Sequence, residues 1–270
     1  MSVRLAGSLR DRRPDPFGRF RSGLRRRRLM GAGGELLRPQ RAIDWRSLFS
    51  AVHQLGNSCL LESRAGMARR FLGLRGVQLP RLDATRGYWY ARRRHRRQHV
   101  DGGTYPRSAW WAGTRYGDVT FEDRERQRYE SGVDPILDPP PDLLDFAQLP
   151  LRLDAEPIYA SGRELIARIG DSLVREQPVQ IDVEVTRAFL EDDGPTRIEP
   201  SERVQDMGHA IEVVGCLPRA DGLLDLIVGN TWGPTWRDGG TAVLTAEFVS
   251  RHAYGAHYLR RVTWHGETYT

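Results

Sequence analysis

The chain has 270 residues, of which 39 % are hydrophobic and 28 % charged, long enough for a sizeable buried core and too apolar for a disordered chain. No run approaches the ~18 apolar residues of a transmembrane helix. Two cysteines, Cys59 and Cys216, exclude a disulfide-stapled scaffold and suit a reducing compartment, so a cytoplasmic location is expected.

The net charge of +6 is unevenly spread. All 41 basic residues are arginine, and ten of them fall in residues 1–28 against Asp11 and Asp15. That segment carries +8 and leaves the rest at −2. Residues 1–40 show no sustained period and are punctuated by Pro14, Pro16, Gly18, Gly23 and Gly31. They read as a disordered tail, with a phosphate-binding arm or an Arg-rich targeting segment as alternatives. The body, slightly acidic and without a nucleic-acid-binding motif, gives nucleic acid no role except through that tail.

The body begins near Arg41. After Cys59, Leu61, Ala65, Ala68 and Leu72 recur at helical spacing, with Asn57 or Ser58 as a cap. Leu82 to Gln98 and Ser108 to Tyr116 read as two further helices, and Asp134 to Pro150 as a Pro- and Asp-rich connector. Ser161 to Glu176 reads as a helix, with Leu165, Ile169 and Leu173 on one face. The period then changes. Val179 to Val185, His209 to Gly215, Leu224 to Val228 and Thr241 to Leu244 alternate as strands, and 191–206 reads as an irregular loop. Helices first and strands second predict an α+β protein with a helical lobe over 41–150 and a strand-rich lobe over 151–265.

Three segments carry possible chemistry. His53-Gln54-Leu55-Gly56-Asn57-Ser58-Cys59 places a thiol where a turn enters a helix, and the positive end of the helix dipole favours the thiolate there. Met207-Gly208-His209-Ala210 opens an apolar strand with an imidazole able to take and return a proton. Asn230-Thr231-Trp232-Gly233, followed by Trp236 and Gly240, offers an amide that can orient an imidazole while the tryptophans keep water away. Alone, each reads first as packed structural residues or a turn.

In this order the three segments resemble the papain family of cysteine peptidases. The resemblance runs from about Ile43 to Val262. Ile43-Asp44-Trp45-Arg46 is similar to the mature start of these enzymes. Asp101-Gly102-Gly103-Thr104-Tyr105-Pro106 is similar to their glycine-pair stretch, and Asn230-Thr231-Trp232-Gly233 to their N-S-W-G. His209 follows Cys59 by 150 residues and Asn230 by 171, at and beyond the ~130–150 spacing known for these partners, which a modest insertion explains.

The resemblance implies a papain-like two-lobed fold, a β-barrel-like second lobe and a cleft between the lobes. It implies Cys59 as nucleophile, His209 as base and then acid, Asn230 as orienting group, and Gln54 with the Cys59 backbone N–H as the oxyanion hole. A thiolate–imidazolium pair would activate Cys59. Gly102, Gly103 and Trp232 would line the substrate site. The partner would be a peptide or protein, and no metal or organic cofactor is required. The chain has its own features. One residue fewer separates Gln54 from Cys59 than is usual, so His53 or a backbone group is an alternative occupant of the hole. Leu60 stands for a tryptophan, Asn57 and Arg237 each stand for a glycine, and the family's disulfides cannot form.

The expected activity is peptide hydrolysis through a thioester. If an amine resolves the thioester, the same triad is a transpeptidase, cyclase or other acyltransferase. A non-catalytic binding protein on the same scaffold is the third reading. Arg92 to Arg97 reads as a solvated helix end, with recognition of an acidic peptide or of nucleic acid as the functional alternative. Tyr88-Trp89-Tyr90 and Trp110-Trp111 read as core aromatics.

Overall fold

The computed structural model describes residues 35–116, 119–120, 134, 136–138 and 151–270. The arginine-rich segment up to residue 34 and most of the 134–150 connector lie outside the described residues.

Strand β1 (Ile43–Asp44) leads through the turn at Gly56 into helix α1 (Cys59–Gly73). Strand β2 (Leu82–Asp83) precedes α2 (Ala84–Arg93), whose first turn is capped by Asp83 Oδ1, accepting from Thr85 N–H at 3.0 Å. Helix α3 (Pro106–Tyr116) starts on a proline, the residue whose missing N–H costs nothing at that position. Strand β3 (Val119–Thr120) pairs with β2.

The second half contributes β4 (Leu151–Pro157), α4 (Gly162–Val174), β5 (Val179–Thr186), α5 (Arg187–Leu190), β6 (Arg197–Ile198) and β7 (Arg203–Pro218). It continues with β8 (Leu224–Gly229), β9 (Thr241–Leu244), α6 (Ala246–His252), β10 (Ala253–Trp264) and β11 (Glu267–Tyr269). Apart from β2 and β3, which form a two-stranded sheet of their own, the described strands form one sheet in the order β11-β10-β5-β7-β8-β9-β6, with β1 added to β7 and β4 to β10. All described pairings are antiparallel except β6 with β9.

The sheet is buried on both faces where it matters. Odd residues of β7, such as Ile211 and Val213, join Val179, Ile181 and Val183 of β5 in a core closed by Leu165, Ile169 and Leu173 of α4 and Phe248 of α6. Each of those fully buried aliphatic side chains contributes roughly 1.5–3 kcal/mol. Even residues of β7 face the other way. Ala210 packs with Cys59, Leu60 and Leu61 of α1, and Glu212 pairs with Arg70 of α1. Further along α1, Ala68, Phe71 and Leu72 pack on Leu151 and Leu153 of β4 and Leu259 and Val262 of β10. The helix that begins with Cys59 is thus the element on which the two halves meet.

The structure amends the sequence reading in places. The helix expected over Leu82–Gln98 begins only at Ala84 and ends at Arg93, and Arg96 turns with a positive φ of 56°. Arg92 is not solvated: it is 1 % exposed, stacks 4.0 Å over the Tyr88 ring and binds the carbonyls of Val100 and Ile136. Arg93 to Arg96 are exposed, as expected. The irregular 191–206 loop contains the short β6, and the histidine strand starts at Arg203. Tyr88, Trp89, Tyr90 and Trp110 are buried, as the core reading has it.

Candidate active site

His209 and Asn230 come together as the sequence order suggests. His209 Nε2 lies 2.7 Å from Asn230 Oδ1. That same oxygen accepts the backbone N–H of Thr231 at 2.7 Å, so the atom facing His209 is the amide oxygen and not its nitrogen. An oxygen can only accept, so Nε2 carries the hydrogen and Nδ1 is left as the basic nitrogen. Nδ1 makes no hydrogen bond of its own and is fully buried. Burial pushes the His209 pKa down to about 4, with the Asn230 bond opposing the shift. Burial thus favours the neutral imidazole at pH 7, with Nδ1 as its unprotonated nitrogen. Burial alone does not give the expected imidazolium; that form needs a thiolate beside it.

Aromatic rings enclose the pair. The Trp232 ring centroid is 4.6 Å from that of His209, and Phe189 meets His209 edge-on at 5.9 Å. Trp236 packs against Phe189 and donates its indole N–H to the Phe189 carbonyl. Trp232 itself is buried, with its ring on His209. Arg237 anchors this corner. It takes a positive φ of 52°, and its guanidinium binds the carbonyls of Ala188 and Pro195.

Cys59 stands at the first position of α1, is fully buried, and belongs to the apolar cluster that includes Ala210, the residue after His209. The turn before it is strapped to the asparagine segment. Gln54 N–H donates to Thr231 O at 2.7 Å, Gly233 N–H donates to Val52 O at 3.0 Å, and His53 bridges Trp232. The Gln54 side chain is fixed at both ends, its Oε1 accepting the Thr231 hydroxyl at 2.6 Å and its Nε2 donating to Gly56 O at 2.8 Å. Thr231 was not singled out by the sequence reading. Its signal is the hydroxyl in the second position of the N-S-W-G-like motif. His53 is exposed, and its ring lies against Gly233, where a Cβ would come within 2.0 Å of it. Gly233 has a φ of +92°, which favours glycine there.

Gly103 is buried with a φ of +77°, and its N–H donates to the Tyr88 hydroxyl at 3.0 Å. Gly102 precedes it, with Arg97 close by. The second thiol is different in kind: Cys216 is buried in β7, and burial raises its pKa to about 11.

No family model and no curated protein sequence matches the chain. Solved structures do. Xylellain, a cysteine protease from Xylella fastidiosa, matches at TM-score 0.66 and 16 % identity, over 83 % of this chain and 87 % of that one. Digestive procathepsin L 3 of Tenebrio molitor larval midgut matches at TM-score 0.63 and 18 % identity, over 94 % and 75 %. The bromelain protease from Ananas comosus, solved with the E64 inhibitor, matches at TM-score 0.59 and 14 % identity, over 82 % and 99 %. Identities at this level speak for the fold. The chain folds as a papain-like cysteine protease does, an α+β, two-lobed architecture.

Proposed function

We propose that the protein is a cysteine peptidase acting through a thioester on Cys59. The observation that carries this is the His209–Asn230 pair, whose bonding leaves Nδ1 as a base, in the lobe that packs Ala210 against Cys59. In the reaction, His209 Nδ1 takes the Cys59 thiol proton and the thiolate attacks the scissile carbonyl carbon. Negative charge develops on the carbonyl oxygen, where Gln54 Nε2 and the Cys59 backbone N–H donate; such donors are worth about 3–4 kcal/mol each in related hydrolases. The C–N bond breaks as His209 returns the proton to the leaving amine, and the acyl group stays on sulfur. His209 then takes a proton from water, hydroxide adds to the thioester, and the acid leaves as the proton returns to sulfur. The substrate is a peptide or an unfolded stretch of protein, and the setting a reducing one such as the cytoplasm, where Cys59 stays a thiol.

Dye-quenched casein tests the reading. The parent is expected to release fluorescence steadily under reducing conditions, and Cys59→Ser to lose at least 99 % of that rate. Intact casein with the folded parent, or equal rates in the two proteins, contradicts it.

A further inference from the structure

The triad leaves unexplained how the turn before Cys59 is held at a fixed distance from the glycine pair. The residue that joins them is Asp101. Its Oδ1 accepts the backbone N–H of Asn57 at 3.0 Å and the hydroxyl of Tyr88 at 2.6 Å. Its main-chain carbonyl accepts the Asn57 side-chain amide at 2.8 Å. The Tyr88 hydroxyl passes the link on by accepting Gly103 N–H at 3.0 Å. The carboxylate lies directly against Gly56, where a Cβ would come within 2.5 Å of Oδ2 and where φ is +58°. Gly56 O in turn receives Gln54 Nε2. From below, buried Arg92 stacks on the Tyr88 ring and binds Val100 O at 2.7 Å, fixing the residue before Asp101.

We infer that Asp101 is a positioning residue that sets Cys59 through Asn57 and Gly103 through Tyr88, so that nucleophile and substrate strand keep one spacing. The inference rests on the peptidase reading for what that spacing serves. Asn57 and Tyr88 are buried and Asp101 is half-buried, so these bonds are partly shielded from water, and misplacing a reacting group by about 1 Å can cost 10²-fold in rate. The two cysteines of the chain are Cys59 and Cys216, so no disulfide can make this connection without consuming the nucleophile or drawing Cys216 off its strand. The tether also accounts for asparagine at position 57, because a glycine has no amide to give Asp101 O. The task is acceptance of hydrogen bonds by Oδ1, and an amide oxygen can do it.

The test combines two readouts: kcat and KM on dye-quenched casein, and the rate of Cys59 alkylation by iodoacetamide mapped against Cys216. Asp101→Ala is expected to lower kcat and Cys59 alkylation at least tenfold with Cys216 unchanged, and Asp101→Asn to stay within threefold of the parent. Tyr88→Phe, which cuts the branch to Gly103, is expected to raise KM severalfold and leave Cys59 alkylation unchanged. Should Asp101→Ala fail to fold, Asn57→Ala removes only the amide bond to Asp101 O and is expected to slow Cys59 alkylation about threefold. Rates for Asp101→Ala within twofold of the parent overturn the inference. So does an Asp101→Asn variant as slow as Asp101→Ala, because that assigns the effect to charge. If the parent leaves casein intact, the peptidase reading fails, and the alkylation arm still decides the role of Asp101.

Discussion

Glu212→Ala is expected to lower the melting temperature by about 6–20 °C. The side chain is buried in β7 and its Oε2 lies 2.5 Å from Arg70 Nη1 on α1, with both partners almost fully removed from water. Burial raises the Glu212 carboxyl pKa against the pull of Arg70 and Arg69. Deleting the acid leaves a guanidinium buried with its counter-charge gone, which costs about 3–5 kcal/mol. At about 2–4 °C per kcal/mol for a domain of this size, the melting shift follows. The pair is built in tightly, since a Cβ on Gly66 would sit 1.7 Å from Glu212 Oε1. It also joins the helix of Cys59 to the strand of His209, so the loss falls on the contact that assembles the site. The double variant Arg70→Met/Glu212→Leu removes both charges and is expected to recover most of the stability. Melting curves by circular dichroism decide it; a single variant within 2 °C of the parent shows that the pair is not what holds the lobes.

Asn230→Ala is expected to lower casein hydrolysis by about 10²-fold, within the range of general acid–base contributions. Without Asn230 Oδ1, the His209 Nε2–H is a buried donor with no acceptor, and the imidazole is free to carry its hydrogen on Nδ1. In that tautomer it cannot take the thiol proton. Asn230→Asp restores an acceptor at the same place for both His209 Nε2–H and Thr231 N–H, and is expected to retain about tenfold more activity than Asn230→Ala. Equal rates in the two variants would show that the tautomer is set elsewhere. Rates are read under reducing conditions at pH 7, where burial keeps His209 neutral.

The chemistry of this site was more legible in the sequence than the scaffold that holds it. Cys59, His209 and Asn230 each stand where local patterns change in the sequence: a turn entering a helix, the onset of alternation within the longer strand β7, a Gly-rich turn. Strands β5, β7, β8 and β9 announced themselves because alternation survives where one face meets a core. β10 did not, and its buried residues show why: Ala256 packs into one core while Leu259 and Val262 pack into the other, and the register shift between Leu259 and Arg261 puts those two three residues apart. Charge misled in the same way. Arg92 reads as part of a solvated helix end, yet it is buried, as are Arg64, Arg70 and Glu212. Their partners come from distant segments: Ala109 O for Arg64, Glu212 for Arg70, Ile136 O for Arg92. Gly113 shows the accommodation required, since a Cβ there would lie 1.7 Å from Arg64 Nη1. The Asp101 tether spans 44 residues between its ends, and no local period can announce a bond of that range. Gln54 is a related case. Its short spacing to Cys59 raised His53 as an alternative, and the Gln54 amide is oriented by Gly56 O together with the Thr231 hydroxyl, which comes from the other half of the chain.

Site-resolved thiol reactivity tests the central claim most directly. The folded protein is treated with limiting iodoacetamide at several pH values, and the label is mapped by mass spectrometry. Cys216, its pKa raised to about 11 by burial, serves as the slow internal reference. The account predicts that Cys59 labels far faster than Cys216, that its reactivity persists below neutral pH, and that His209→Ala slows it at least tenfold. Labelling of Cys59 no faster than a simple thiol, and indifferent to His209, would contradict the account and leave a papain-shaped protein without an activated nucleophile.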